Sequence, residues 1–180
     1  MKKRIFIGIP ASEEIKQKAG LFHQAHLDLP VRWIKPRNLH ITLVPPWAID
    51  SAQDLEQIIN SLKGSSAVEP FRVSFNRIEF GPNNKNPRLI WASGAATKEI
   101  LDLRLKIYDC LKQTPDSRLF RLHMTLARVP SAGSDIGEWT RTIREGNIDW
   151  TMKVDRFVLY ESHLSPEGAE YEVVSEFKLG

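Results

Sequence analysis

Apolar positions recur along the chain with two periods, about two and about 3.6 residues, and the changes between them mark its elements. Arg4 to Ile9 is a short run of β-branched and aromatic residues and predicts a buried strand; Ser12 then caps a helix rich in Glu, Lys and Gln that ends before Pro30. Leu39 to Val44 predicts a second strand, stopped by Pro45-Pro46 because proline has no N–H to give a ladder. Ser51 to Lys63 carries Leu55, Ile58, Ile59 and Leu62 at helical spacing and closes at Gly64. Phe71, Val73, Phe75, Ile78 and Phe80 predict a long strand whose alternation slips near Asn76, before a turn at Gly81-Pro82-Asn83-Asn84. Leu89-Ile90-Trp91 opens another strand. Thr97 to Lys112 reads as a third helix, with Ile100, Leu103, Leu105, Ile107 and Leu111 on its apolar side, and Leu122 to Val129 as the next strand. Gly133 to Gly137 breaks the pattern, and a weaker helix is expected through Trp139 to Arg144. Two last strands, near Lys153 to Ser162 and Glu170 to Lys178, flank a turn at Ser165-Pro166-Glu167-Gly168 as a hairpin.

The pattern repeats on a larger scale. Leu39-His40-Ile41-Thr42-Leu43 returns as Leu122-His123-Met124-Thr125-Leu126, and Arg4-Ile5-Phe6-Ile7 is echoed at nearly the same offset by Arg88-Leu89-Ile90-Trp91. Each copy is followed by a helix, so the chain reads as two β-α-β-α-β halves related by a pseudo-two-fold. Residues two apart on a strand share a face, which groups His40 with Thr42 and His123 with Thr125, and turns Ile41, Leu43, Met124 and Leu126 the other way. If the two motif strands lie side by side about the pseudo-axis, two imidazoles and two hydroxyls converge on one cleft.

Composition narrows the classes. With 180 residues, 42% apolar and 26% charged, the chain has the balance of an ordered globular protein that needs neither disulfide nor metal staples. Its one cysteine, Cys110, falls in an apolar helical pattern and is expected in the core, so no disulfide framework or thiolate cluster forms within the chain. The apolar stretch after Met1-Lys2-Lys3-Arg4 is too short for a signal segment, and no run of about 18 apolar residues occurs, so a cytoplasmic protein that neither enters nor spans a membrane is expected. A net charge of +3, a pI near 9.0 and arginines around several apolar strands suit an anionic ligand.

The chemistry that fits is hydrolysis of a phosphodiester. Opening a cyclic phosphate needs one group to take a proton from water and another to give one to the departing oxygen on the far side of phosphorus. Histidine, with an ordinary pKa near about 6.5, suits both tasks near neutrality. Thr42 and Thr125 hydroxyls, with Arg128 as a bidentate cation, are placed to hold the non-bridging oxygens as they gain charge. No metal or other cofactor is called for. A single His-x-Thr on a strand is ordinarily structural; the two matched copies single these residues out. His23 and His26 sit on a helix and are expected to be solvated, and His163 reads as turn or cleft rim.

At these residues the chain resembles the two-histidine phosphoesterase superfamily, in its LigT-like (ThpR) RNA 2′,3′-cyclic phosphodiesterase branch, the 2′-5′ RNA ligase family. The resemblance spans nearly the whole chain. Besides the paired His-x-Thr motifs it includes Arg4-Ile5-Phe6-Ile7, Val31-Arg32-Trp33-Ile34-Lys35-Pro36-Arg37-Asn38, Phe120-Arg121, Thr125-Leu126-Ala127-Arg128-Val129 and Val154-Asp155-Arg156-Phe157-Val158-Leu159-Tyr160-Glu161-Ser162. It implies an α+β fold, bilobal, with antiparallel sheets lining a central cleft and helices outside, the whole of residues 1–180 forming one domain of two intertwined lobes. It further implies conversion of RNA ends bearing a 2′,3′-cyclic phosphate to 2′-phosphomonoesters, with His40 as the acid that protonates the 3′ oxygen, His123 as the base that activates water, and Thr42, Thr125 and Arg128 as phosphate-binding residues. The reverse reaction would join such an end to a 5′-hydroxyl. No obligate protein partner is evident.

Two departures bear on substrate. Val44-Pro45-Pro46-Trp47 stands where many relatives carry a basic residue, Phe, Leu and Gly, and Leu122 stands where proline often precedes the second histidine. Trp47 is accordingly a candidate either for stacking on a nucleobase or for packing. Rival readings are another two-histidine phosphodiesterase specificity (2′-5′ oligonucleotides, ADP-ribose cyclic phosphate or RNA 3′-end trimming), a noncatalytic RNA-end or nucleotide-binding protein, and a metalloenzyme using His40, His123 and His163.

Overall fold

Each long helix begins at a hydroxyl residue that satisfies an otherwise orphaned backbone N–H. Ser12 Oγ accepts from Ile15 N at 3.3 Å, Thr97 Oγ1 accepts from Ile100 N at 3.5 Å, and Ser51 and Asp54 bond reciprocally, side chain to backbone, at 3.1 Å each. The computed structural model describes residues 2–82, 87–129, 143, 147–165 and 168–180. Its helices are α1 (Glu13–Gln24), α2 (Ala52–Leu62) and α3 (Lys98–Cys110). Its strands are β1 (Lys3–Pro10), β2 (Arg32–Trp33), β3 (His40–Ile49), β4 (Phe71–Gly81), β5 (Leu89–Gly94), β6 (Leu122–Arg128), β7 (Asn147–Val154), β8 (Arg156–Ser165) and β9 (Gly168–Lys178).

The strands form two antiparallel sheets, ordered β3-β1-β8-β9 and β2-β6-β5-β4-β7, and the class is α+β. Apart from the short β2, the second order repeats the first when β1 is matched to β5 and β3 to β6. The chain changes sheets to complete the match: β4 follows α2 but joins the second sheet, and β8, one residue after β7, returns to the first. The helices cross over as well. Phe22 of α1 stands edge-on to Trp150 of β7 at 6.5 Å, and Arg104 of α3 donates from Nε to Leu43 O of β3 at 3.1 Å. One apolar cluster joins Ile5, Ile7, Ile9, Ile41 and Leu43 of the first sheet to Phe75, Ile90, Met124 and Leu126 of the second. Phe6, on the other face of β1, packs instead with Val158, Tyr160 and Tyr171.

Several expectations need correction. The second strand does not stop at Pro45-Pro46, because β3 is the edge of its sheet and absorbs both prolines in an irregularity: Ile5 pairs with Trp47 and Ile7 with Val44, so two residues face Phe6. The second helix does not close at Gly64 but tightens into a 3-10 turn over Lys63–Ser66. A strand before residue 153 was not anticipated, although Ile148, Trp150, Met152 and Val154 alternate clearly; β7 pairs there with β4. Cys110, expected in the core, is only half-buried at the end of α3. The slip near Asn76 is present as a register shift between Phe75 and Arg77, and β8 and β9 pair as the expected hairpin. The break at Gly133 to Gly137, the helix through Trp139 to Arg144 apart from Ile143, Asn83-Asn84 and Pro166-Glu167 lie outside the described residues. Among the described residues no helix is long and apolar enough to cross a membrane.

Candidate active site

β3 and β6 belong to different sheets yet run against one another, which brings the two His-x-Thr motifs together. Alternation does the rest. Ile41, Leu43, Met124 and Leu126 are at most 2% exposed, while His40, Thr42, His123 and Thr125 are half-buried on the opposite side. Gly8 lies opposite Thr42, and its lack of a side chain makes room for the motif: a Cβ there would stand 2.9 Å from Ile41 O and 3.1 Å from His40 Cδ2.

Both histidines are oriented the same way. His40 Nδ1 donates to Asn38 O at 2.7 Å and His123 Nδ1 donates to Arg121 O at 2.8 Å, in each case the carbonyl two residues upstream. A carbonyl can only accept, so these bonds place the proton of each neutral ring on Nδ1 and leave Nε2 with its lone pair. His40 Nε2 lies 3.1 Å from Thr42 Oγ1, so it accepts the Thr42 hydroxyl proton when the ring is neutral.

Strict alternation would turn Arg128 away from Thr125. A bulge prevents this: Trp91 pairs with Thr125 but Ile90 with Ala127, so one extra residue is taken up on β6 and Arg128, opposite Leu89, returns to the face of His123 and Thr125. Arg128 accordingly lines a cavity of about 190 Å³ with His40, Thr42, Thr125, Phe6 and Tyr171. Thr42 also lines an adjoining cavity of about 400 Å³, with His123, Trp91, Phe120 and Arg121.

The two ring environments differ. His40 is enclosed by aromatic rings, Phe6 at 4.9 Å and Tyr171 edge-on at 5.2 Å between centroids. Burial pushes its imidazole down to about 4, helped by the charge of His123 and opposed by the Asn38 carbonyl, which favours the charged ring. His123 rests on Trp91 at 4.1 Å, and burial lowers it too, against the pull of the Arg121 carbonyl and of Glu79. Phe6, Tyr171 and Trp91 were missed as site residues, although Phe6 has the opposite parity to the buried Ile5, Ile7 and Ile9, a signal that it faces the cleft.

The remaining candidates lie elsewhere. Trp47 is half-buried, packs against the core and lines neither cavity. His23 stacks on Trp33 at 4.6 Å and His26 bonds Phe22 O at 2.7 Å, so both are half-buried rather than freely solvated. His163 lies within β8, away from both cavities, with Nε2 3.1 Å from Glu172. Among the described residues, Glu161, His163 and Glu172 are the group close enough to share a metal ion, but Lys3 Nζ already occupies Glu161 at 2.6 Å.

A doubled sheet pair with a matched histidine on each half defines a class. Solved structures of the same fold are a Thermus thermophilus protein (TM-score 0.78, 22% identity, covering 98% of this chain and 97% of that one) and Escherichia coli LigT complexed with 3′-AMP (TM-score 0.76, 20% identity, 99% of each). The profile of the 2′-5′ RNA ligase superfamily matches residues 13–166. The chain belongs to the 2′-5′ RNA ligase superfamily and is an enzyme of it. It is 30% identical to the RNA 2′,3′-cyclic phosphodiesterase of Aquifex aeolicus, over 98% of this chain and 97% of the relative, and 28% identical to the protein of that name from Bacillus subtilis, over 99% and 98%.

Proposed function

We propose that this enzyme hydrolyses 2′,3′-cyclic phosphodiester ends of RNA to 2′-phosphomonoesters by metal-independent acid–base catalysis between His40 and His123. The observation that carries the reading is the matched pair of Nδ1 bonds to Asn38 O and Arg121 O, which puts the lone pair of each neutral ring on Nε2, the atom that exchanges a proton. The names of the relatives support the substrate. His123 Nε2 takes a proton from water as the water oxygen bonds to phosphorus; the bond from phosphorus to the 3′ oxygen breaks, and His40 Nε2 gives that oxygen a proton. A 2′-phosphate and a 3′-hydroxyl result. Thr42, Thr125 and Arg128 hold the non-bridging oxygens, where negative charge accumulates.

The low pKa of His40 fits this only in the bound state. A ring held near about 4 is neutral at pH 7, and a phosphate anion entering the Arg128 cavity opposes the burial effect and draws a proton onto it. Substrate thus charges its own acid. The same steps with a 5′-hydroxyl attacking phosphorus in place of water would join two RNA ends through a 2′-5′ linkage as the bond to the 3′ oxygen breaks, a secondary activity of the same site.

The decisive experiment is hydrolysis of a short RNA ending in 2′,3′-cyclic phosphate, in excess EDTA, by wild type, His40→Ala and His123→Ala. A 2′-phosphate formed only by wild type is expected. No turnover by well-folded wild type would redirect the reading to another phosphodiester or to a binding role, and loss of activity in EDTA would bring a metal into the mechanism.

A further inference from the structure

β2 is only two residues long, yet it places Arg32 directly opposite Arg128 of β6. Directly opposed residues of an antiparallel pair have Cα atoms about 4.5–5.5 Å apart, and like charges in such a pair repel. Both guanidiniums belong to exposed residues, and among the described residues neither has a carboxylate partner. Glu170, which lines the same cavity as both arginines, is already held by Lys35 and, at 2.6 Å, by Arg37. Arg32 and Arg128 therefore share a small cavity that adjoins the His40 cavity, with Asn38, Ile34 and Tyr171 lining both. Gly168 flanks Arg32, where even a Cβ would stand 3.7 Å from its guanidinium carbon.

A second observation points to a ligand in the same place. Asn38 is 6% exposed, its Nδ2 donates to Ala169 O at 2.8 Å, and its Oδ1 is buried without a hydrogen-bond partner. A buried acceptor left unpaired is costly, and a donor on a bound molecule removes that cost. The site thus offers two cations for phosphate and one acceptor for a hydroxyl or amine.

We infer that Arg32, beside Arg128, forms a second phosphate subsite that takes the phosphodiester preceding the terminal nucleotide, with Asn38 Oδ1 accepting the 2′-hydroxyl of that upstream ribose. This rests on the phosphodiesterase reading above. In a cyclic phosphate end both the 2′ and 3′ oxygens of the last ribose are bonded to phosphorus, so the first 2′-hydroxyl donor in the chain belongs to the nucleotide before it. The subsite makes the enzyme selective for oligoribonucleotide ends over cyclic mononucleotides and for ribose over deoxyribose one position upstream.

The test measures kcat/KM on three substrates: a nucleoside 2′,3′-cyclic phosphate, the dinucleotide ending in the same group, and that dinucleotide with an upstream deoxyribose. Wild type is expected to favour the ribose dinucleotide by about tenfold or more over each of the others, as for loss of one charge-assisted or buried hydrogen bond. Arg32→Ala should remove the preference over the mononucleotide while leaving mononucleotide turnover unchanged, and Arg32→Lys should restore part of it. Equal loss on mononucleotide and dinucleotide would place Arg32 on the cyclic phosphate itself and overturn the second subsite, as would a wild type indifferent to the upstream nucleotide. Failure of wild type on all three substrates would instead remove the phosphodiesterase reading and the subsite with it.

Discussion

The two His-x-Thr motifs have the same local bonds and different surroundings. In the first half His40 sits on an edge strand, walled by Phe6 and Tyr171 and bonded to Thr42, and burial takes its imidazole to about 4. In the second half His123 sits on a strand with neighbours on both sides, rests on Trp91 and has the cations Arg121 and Arg128 on or near its strand. Duplication of a short motif supplies two equivalent rings, and the environment then makes them unequal. Acid and base chemistry at one pH needs that inequality, since two identical imidazoles would compete for the same proton. In the proposed mechanism the drier ring serves as the acid, and bound phosphate is then the agent that sets its protonation.

The sharpest way to break this comparison is to remove each ring separately. His40→Ala and His123→Ala should each lower kcat by about 10²–10⁴-fold; single-turnover kinetics in which only one variant is impaired would reduce the pair to one catalytic group. Arg128→Ala should lower kcat by about 10²-fold, with Arg128→Lys recovering only part, because the bidentate fork is lost. Steady-state kinetics that show only KM rising would confine Arg128 to ground-state binding.

A stability measurement sharpens the difference without substrate. The fold holds His40 as the neutral ring, so an unfolded chain binds a proton at about 6.5 that the folded chain refuses until about 4. The contribution is complete above about 6.5, falls through the interval to about 4 and is level below it, a full loss on the order of 3 kcal/mol. Urea titrations at pH 7.5 and pH 4.5 should show the loss, and it should shrink in His40→Ala; an unchanged difference would mean the His40 ring is wetter than its aromatic walls suggest. The smallest effect is expected from Gly8→Ala, which presses a methyl group on Ile41 O and His40 Cδ2 and should cost about 1–3 kcal/mol in the midpoint of unfolding, with a further fall in kcat.

Much of this site could be read from residue order because its logic is local. The repeated motif, the i and i+2 parity of His40 with Thr42 and of His123 with Thr125, and the hydroxyl caps at Ser12, Ser51 and Thr97 all depend on neighbours in the chain. What escaped depends on pairing across the sheets. The position of Arg128 was chosen for its chemistry, but simple alternation turns it the wrong way; only the bulge against Trp91 and Ile90 restores it. Tyr171 reaches the site from β9, far away in sequence, and nothing in its own segment announces that. Pro45-Pro46 looked like a stop because sequence order does not reveal which strand will be an edge.

Those two prolines have a further effect. β3 is an open border of its sheet, and it lies along the cleft; a border with an unbroken row of amides is a template on which any extended polypeptide can add itself as one more strand. Pro45 and Pro46 have no N–H to give such a strand, and the local irregularity opposite Phe6 twists the border out of line. The rim of the cleft is thereby made a poor partner for protein backbone, so the entrance beside His40 is protected from self-association.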